Sequence, residues 1–200
     1  MTYTVANMLR ATDPVAFLEI FNRIARPELE AAGCTKIRIS QTIYGGEYAG
    51  AITMAADFDS VAAATTGQMA ANTKAGPEAR EAGVELVSRS LVGTREVRGD
   101  QDGEFGSLLQ VSMGPVSPDQ YSENADLFWS HMTAGSNGQR YGQFIAAGER
   151  TGRHVAVTWT DDLDALTQAS ASMFAHPEVQ QRNAQFGITP LSRSLFRRLD

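Results

Sequence analysis

Side chains able to do acid–base, nucleophilic or redox chemistry are unevenly spread along this chain. All three histidines (His131, His154, His176) and both tryptophans (Trp129, Trp159) fall in residues 101–200. Cys34 is the single cysteine, and no histidine shares its half of the chain to activate it. A histidine titrating near neutrality can accept or deliver a proton. An arginine can stabilise negative charge as it develops on oxygen. His154 and Arg193 are therefore the candidate catalytic pair. Gln110, Tyr141, Gln143 and Trp159 are the candidate substrate-binding residues. Each also has a structural reading: His154 follows a turn and could be exposed, Arg193 could pair with Glu85 or Asp200, Gln143 could bond a helix end, and Trp159 could be core.

Strand alternation sorts these residues into sets. His154, Ala156 and Thr158 share one face, with Val155, Val157 and Trp159 on the other. Tyr141, Gln143 and Ile145 fall together, as do Leu191, Arg193 and Leu195, and Leu108, Gln110 and Ser112. If the sets share one wall, Gln110, Tyr141, Gln143, His154 and Arg193 converge on apolar surface, the usual composition of a small-molecule site. The signatures of phosphate loops, zinc proteases and serine hydrolases are absent. The histidines are too scattered to define a metal site by spacing. No cofactor is expected on the leading reading. The alternatives are a haem protein with His131 or His176 as axial ligand, and a binding or structural protein without catalysis.

The elements that must position these groups occur twice. Val87-Ser88-Arg89-Ser90-Leu91 returns 104 residues later as Leu191-Ser192-Arg193-Ser194-Leu195. Asp13-Pro14 and Ser117-Pro118 open helical patterns at the same offset. Arg38, Gln41 and Gly46-Glu47 match Arg140, Gln143 and Gly148-Glu149 at an offset of 102, and Asp57 to Val61 echoes Asp162 to Leu166 at 105. Internal repeats of this kind set the architecture. On these offsets His154 aligns with Ala49, Trp159 with Met54, Tyr141 with Ile39 and His131 with Pro27.

Within each half the order is β-α-β-β-α-β. In the first, the strands are Thr4–Leu9, Thr35–Tyr44, Ala49–Ala56 and Glu85–Val92. Pro27 should kink or end the first helix, and Gly76-Pro77 should break a second helix that Asp57-Phe58-Asp59 caps. In the second, His176-Pro177 interrupts the corresponding helix. The fold class is α+β: two tandem ferredoxin-like units, residues 1–98 and 105–200, joined by the polar linker 99–104. One such unit leaves one face of its sheet bare. The sheets are expected to pack face to face as an intramolecular pseudo-dimeric α/β barrel.

On this topology, and on the Pro77-Glu78 and Pro177-Glu178 breaks, the chain resembles the dimeric α/β-barrel superfamily in a tandem-fused form. The resemblance implies a pocket between sheet and helices. It also implies a range of activities: cofactor-independent monooxygenases, small isomerases and cyclases, haem enzymes, and members with no activity. A small apolar or aromatic molecule is the expected partner. The state is expected to be a monomer as pseudo-dimer, or a homodimer through the outer helices.

Composition narrows the partners. The net charge is −6 in 200 residues, and neither half carries an excess of Lys and Arg. Nucleic acid and anionic membranes are thus unfavoured. The start has no basic segment followed by a long apolar run, and no run approaches a membrane span. One cysteine cannot form an intramolecular disulfide, so a cytoplasmic location is the default expectation.

Overall fold

Eight strands and their helices follow from local signals that the side chains reinforce. The structure is a computed structural model and describes residues 1–200. The strands are β1 (Tyr3–Ala11), β2 (Lys36–Tyr44), β3 (Ile52–Phe58), β4 (Val84–Gly99), β5 (Phe105–Ser112), β6 (Gly138–Ala146), β7 (His154–Thr160) and β8 (Thr189–Arg198). Between β1 and β2 run α1 (Pro14–Ile20) and α2 (Arg26–Ala31), and α3 (Val61–Glu81) follows β3. In the second half α4 (Pro118–Met132) follows β5, and α5 (Leu163–Ala175) and α6 (Pro177–Phe186) follow β7. No helix is long and apolar enough to cross a membrane.

The caps are local and specific. Asp13 Oδ1 accepts from the backbone N–H groups of Val15 and Ala16, and Pro14 takes the first helical position. Ser117 and Gln120 form a reciprocal capping box on α4. Three local expectations need correction. Ser60, not the Asp57–Asp59 run, caps α3, because β3 carries Asp57 onward as a strand residue. The first helix does not stop at Pro27; a π-helical turn over Phe21–Ala25 links α1 to α2 just before the proline. Helix α3 runs unbroken through Pro77, whereas His176 is extended and separates α5 from α6. Gly76, without a Cβ, meets the proline ring in helical conformation at least steric cost.

The strands form one closed antiparallel barrel in the spatial order β1-β3-β2-β8-β5-β7-β6-β4. The first half contributes β4-β1-β3-β2 and the second β8-β5-β7-β6. The two groups are sewn edge to edge, through β2 with β8 and β4 with β6. The barrel expected from the two facing sheets is thus closed by hydrogen bonds along both seams. Closure pairs the N–H and C=O groups that four open edges would leave unpaired. It also explains why β4 reaches Gly99 instead of ending at Val92: from Val92 to Gly99 it pairs with Phe144 to Gly138 of β6.

Alternation sends one set of strand residues into the lumen and the other outward under the helices. In the first half the outward set meets α1–α3 in a core of 14 buried residues, among them Phe17, Ile20, Ile39, Ile52, Met54 and Phe58. The lumen holds a different chemistry. Asp57 of β3 accepts from Arg38 of β2 at 2.8 Å and from both terminal nitrogens of Arg140 of β6 at 2.8 and 2.7 Å. Thr4 adds a fourth bond at 2.7 Å. Gln101, in the linker, accepts from Arg140 at 2.6 Å and Arg38 at 3.4 Å. Strand β6 is a ladder neighbour of neither β1 nor β3, so these contacts cross the lumen.

Burial by itself raises the Asp57 carboxyl, but the hydrogen bonds and charges of Arg140 and Arg38 outweigh it and hold the group at about 2. Burial lowers Arg38, against the pull of Asp57. The carboxylate is the better-served partner, with four donors around two oxygens. Since the folded value lies below the ordinary 3.8, the stabilisation is complete above about pH 4 and is lost as pH falls toward 2. That loss amounts to about 2 kcal/mol. Asp57→Asn should cost roughly 3–5 kcal/mol at pH 7, because it leaves two arginines inside the barrel without a counterion. Urea unfolding from pH 7 to pH 2 checks both points: the variant should be weaker at pH 7 and lack the component lost below pH 4.

Candidate functional site

In the second half the space between sheet and helices is only partly filled. The buried apolar cluster there has 5 members, Met132, Leu166, Ala169, Met173 and Val179, all from helices. Beside it lies a cavity of about 80 Å³ lined by 21 residues, 13 of them hydrophobic. Its floor comes from β5, β6 and β7, and its roof from Tyr121, Asn124, Phe128 and Met132 of α4 and from α5 and α6. The volume suits on the order of five waters or a small ring compound.

The second hairpin repeats the first at an offset of 102: β6 against β2, the one-turn 3₁₀ helix Gly148–Arg150 against Gly46–Tyr48, and β7 against β3. His154 thus stands where the first half has Ile52, not Ala49, and Trp159 where it has Asp57, not Met54. The offset of 105 holds only beyond the strand. On the helix-facing side, Ile37, Ile39, Ile52, Met54 and Ala56 are replaced by Gln139, Tyr141, His154, Ala156 and Thr158. Apolar filling has become a partly polar wall.

His154, Tyr141 and Arg193 all line this cavity. His154 is half-buried, with Nδ1 3.4 Å from the Tyr121 hydroxyl and Nε2 3.5 Å from Gln143 Nε2. The Gln143 amide is oriented by its other bonds: Oε1 accepts from Arg95 at 2.8 Å, and Nε2 donates to the Gly152 carbonyl at 3.1 Å. An NH₂ group therefore faces His154 Nε2, which assigns the lone pair to Nε2 and the proton to Nδ1, donated to Tyr121. Burial, and then the charge of Arg95, lower the His154 pKa. The imidazole is neutral at pH 7, with its basic nitrogen held only by a long contact. Tyr121 and Tyr141 are both raised by burial and stay protonated.

Arg193 lies at the margin of the cavity, exposed to solvent, and Nη1 donates to the buried Ser170 hydroxyl at 2.8 Å. It pairs with neither Glu85 nor Asp200 and makes no salt bridge. Partial burial lowers its pKa. Tyr141 donates to Gln139, whose Nε2 donates to Thr158 at 3.0 Å, so these three satisfy one another.

The remaining sequence candidates lie elsewhere. Gln110 alternates with Leu109 and Val111, which line the cavity with Ser107, and so occupies the lumen side of β5. Trp159 also belongs to the lumen, only 4% exposed, with the Arg38 guanidinium 5.4 Å from its ring centroid. Both placements correct the expectation, and both follow from alternation once register fixes which set faces inward. Gln143 contacts His154 at the rim without lining the cavity. Sequence reasoning missed Tyr121, Asn124 and Ser170, because helical residues contribute to a wall only after the helix is docked. Tyr121, Ala125, Phe128 and Met132 recur at helical spacing on one face of α4, and Asn124 sits beside them.

His131 and His176 do not reach the cavity. Their rings pack against each other, centroids 4.4 Å apart, at the ends of α4 and α5. No three His, Cys, Asp or Glu side chains are grouped to hold a metal. A porphyrin does not fit, because the cavity is far below its size.

No known family model matches the chain, and no curated protein matches its sequence. Solved structures match in shape. A protein described as a provisional chlorite dismutase superimposes with a TM-score of 0.64 at 12% identity, covering 100% of this chain and 95% of the other. A haem-binding protein from Thermus thermophilus gives 0.60 at 10%, covering 100% and 91%. An anthrone oxidase-like protein gives 0.56 at 13%, covering 100% and 92%. At these identities the likeness concerns fold alone. The chain has the dimeric α/β-barrel fold.

The environment of His154 has a direct test. NMR titration should place its midpoint below 6.5, and Arg95→Gln should move it upward without abolishing the depression that burial causes. A midpoint at or above 6.5 in the unaltered protein would contradict this account of the site.

Proposed function

We propose that the second-half cavity binds a small apolar or aromatic compound and that His154 removes a proton from it, as in a cofactor-independent oxygenase, isomerase or cyclase. The observation that carries the reading is a neutral imidazole and a cation without a carboxylate partner on one largely apolar cavity. In the ladder, Leu109 of β5 lies between Ala156 of β7 and Arg193 of β8. His154 and Arg193 are thus two strands and two residues apart, on the order of 11 Å between Cα atoms. A ring compound between them can present its acidic hydrogen to Nε2 and the oxygen that gains charge to the guanidinium. Tyr121 holds the imidazole through Nδ1, and Gln143 stands at Nε2 until substrate replaces that long contact. An anthrone oxidase-like neighbour is in keeping with this reading.

The non-catalytic alternative is favoured by the Tyr141–Gln139–Thr158 chain, which needs no ligand to satisfy it. Both readings take the chain as two ferredoxin-like repeats, residues 1–98 and 105–200 with linker 99–104, forming a monomeric pseudo-dimer. The matching strand orders and the offset of 102 support this division.

Deuterium uptake from D₂O into 2-indanone, a small ketone with acidic C–H bonds, tests the chemistry. The protein should accelerate exchange over buffer. His154→Gln should lower the rate roughly 10²–10⁴-fold, and Arg193→Gln on the order of 10²-fold. Binding of 2-indanone without faster exchange would favour the non-catalytic reading. Acceleration that survives His154→Gln would remove His154 from its role.

A further inference from the structure

Asn124 stands out among the cavity residues because no other group of the protein bonds its side chain. It is only 4% exposed, and neither Oδ1 nor Nδ2 has a hydrogen-bond partner. Buried amides in folded proteins are almost always paired, since an unpaired donor or acceptor forfeits its hydration. The fold does not require an amide here. Helices α1 and α4 start alike, with a capping residue and a proline at Asp13-Pro14 and Ser117-Pro118, so Asn124 corresponds to Ile20. Ile20 is plain core. The neighbouring pairs behave differently: Tyr121 for Phe17 and Phe128 for Ile24 remain aromatic or apolar. The second half thus carries an amide, beside its cavity, where the first half carries a core isoleucine.

We infer that Asn124 is the specificity-determining residue of this cavity, and that its ligand is a small ring compound carrying a hydrogen-bond donor and an acceptor on neighbouring atoms, as in a lactam. The inference rests on reading the cavity as a ligand site. An amide side chain and a lactam edge are complementary at two points. Nδ2 donates to the ring carbonyl, and Oδ1 accepts from the ring N–H. Asn183 of α6, which also lines the cavity, has a buried Oδ1 without a partner and offers a further acceptor. Thirteen of the 21 lining residues are hydrophobic and suit the ring body. A site built to pair a donor discriminates strongly against an analogue that lacks it, since the protein group is then stranded.

The test compares 2-pyridone, which has the full edge, with N-methyl-2-pyridone, which keeps only the acceptor, by NMR or calorimetric titration. 2-Pyridone should bind the unaltered protein at least about tenfold more tightly. Asn124→Leu should erase that preference while N-methyl-2-pyridone still binds. The same variant should melt at a higher temperature than the unaltered protein without ligand, because it removes two stranded polar atoms. Equal binding of the two pyridones by the unaltered protein overturns the role of Asn124 and leaves the cavity as a ligand site. Failure of either pyridone and of 2-indanone to bind overturns the cavity reading, and this inference with it. A lower melting temperature for Asn124→Leu would show that the amide is structurally bonded, and also overturns the proposal.

Discussion

One carboxylate shared by two arginines governs how the two halves of the chain meet. Asp57 sits inside the barrel between Arg38 of its own half and Arg140 of the other, with Thr4 and Gln101 completing the shell. Arg38 and Arg140 occupy corresponding places in their hairpins, and Trp159 stands where symmetry would put a second aspartate. The Arg38 guanidinium lies over that indole instead. Buried ion pairs return little net stability, because desolvating the charges cancels most of their attraction. Breaking this one is costly, however, so it disfavours any seam register that separates Arg140 from Asp57. Together with the backbone ladders β2–β8 and β4–β6 it joins the two halves.

With the barrel fixed, alternation assigns every strand residue to the lumen or to the helices. The polar groups that hold the halves together go inward, and the groups that line the cavity go outward. Arg140 and Tyr141 show the consequence. They are adjacent in β6, yet one bonds Asp57 across the lumen and the other forms part of the cavity wall. The same backbone thus separates assembly from ligand chemistry, which leaves the outward face of the second half free to vary. In the first half Ile39, Ile52 and Met54 fill the space that the second half leaves partly hollow, and Asn7 bonds Gln68 and Arg89 beside them.

The fold accommodates haem in one structural neighbour, but the residues here make a different site. The histidines that could serve an iron pack against each other outside, and the one histidine at the cavity is oriented by a tyrosine and an amide. What the cavity offers is a proton acceptor, a cation and an unpaired amide in apolar surroundings. The proposed binding of a small ring compound rests on these groups.

The sequence by itself determined the element order, most element boundaries and the concentration of reactive groups in the second half. Caps, turns and hydrophobic periods are local, and Asp13-Pro14, Ser117-Pro118 and the alternation in β2 and β7 carry them without help from distant residues. Only the tertiary structure decided which of two alternating sets faces inward, because a one-residue change of register exchanges them. Gln110 and Trp159 went to the lumen for that reason, while His154, Tyr141 and Arg193 came to one cavity. Asn124 was invisible as a site residue because its meaning is the lack of a partner, and partners are assigned by packing. The same holds for Asp57, which resembles a helix cap in sequence and becomes the centre of the barrel only when strands far apart in the chain are brought around it.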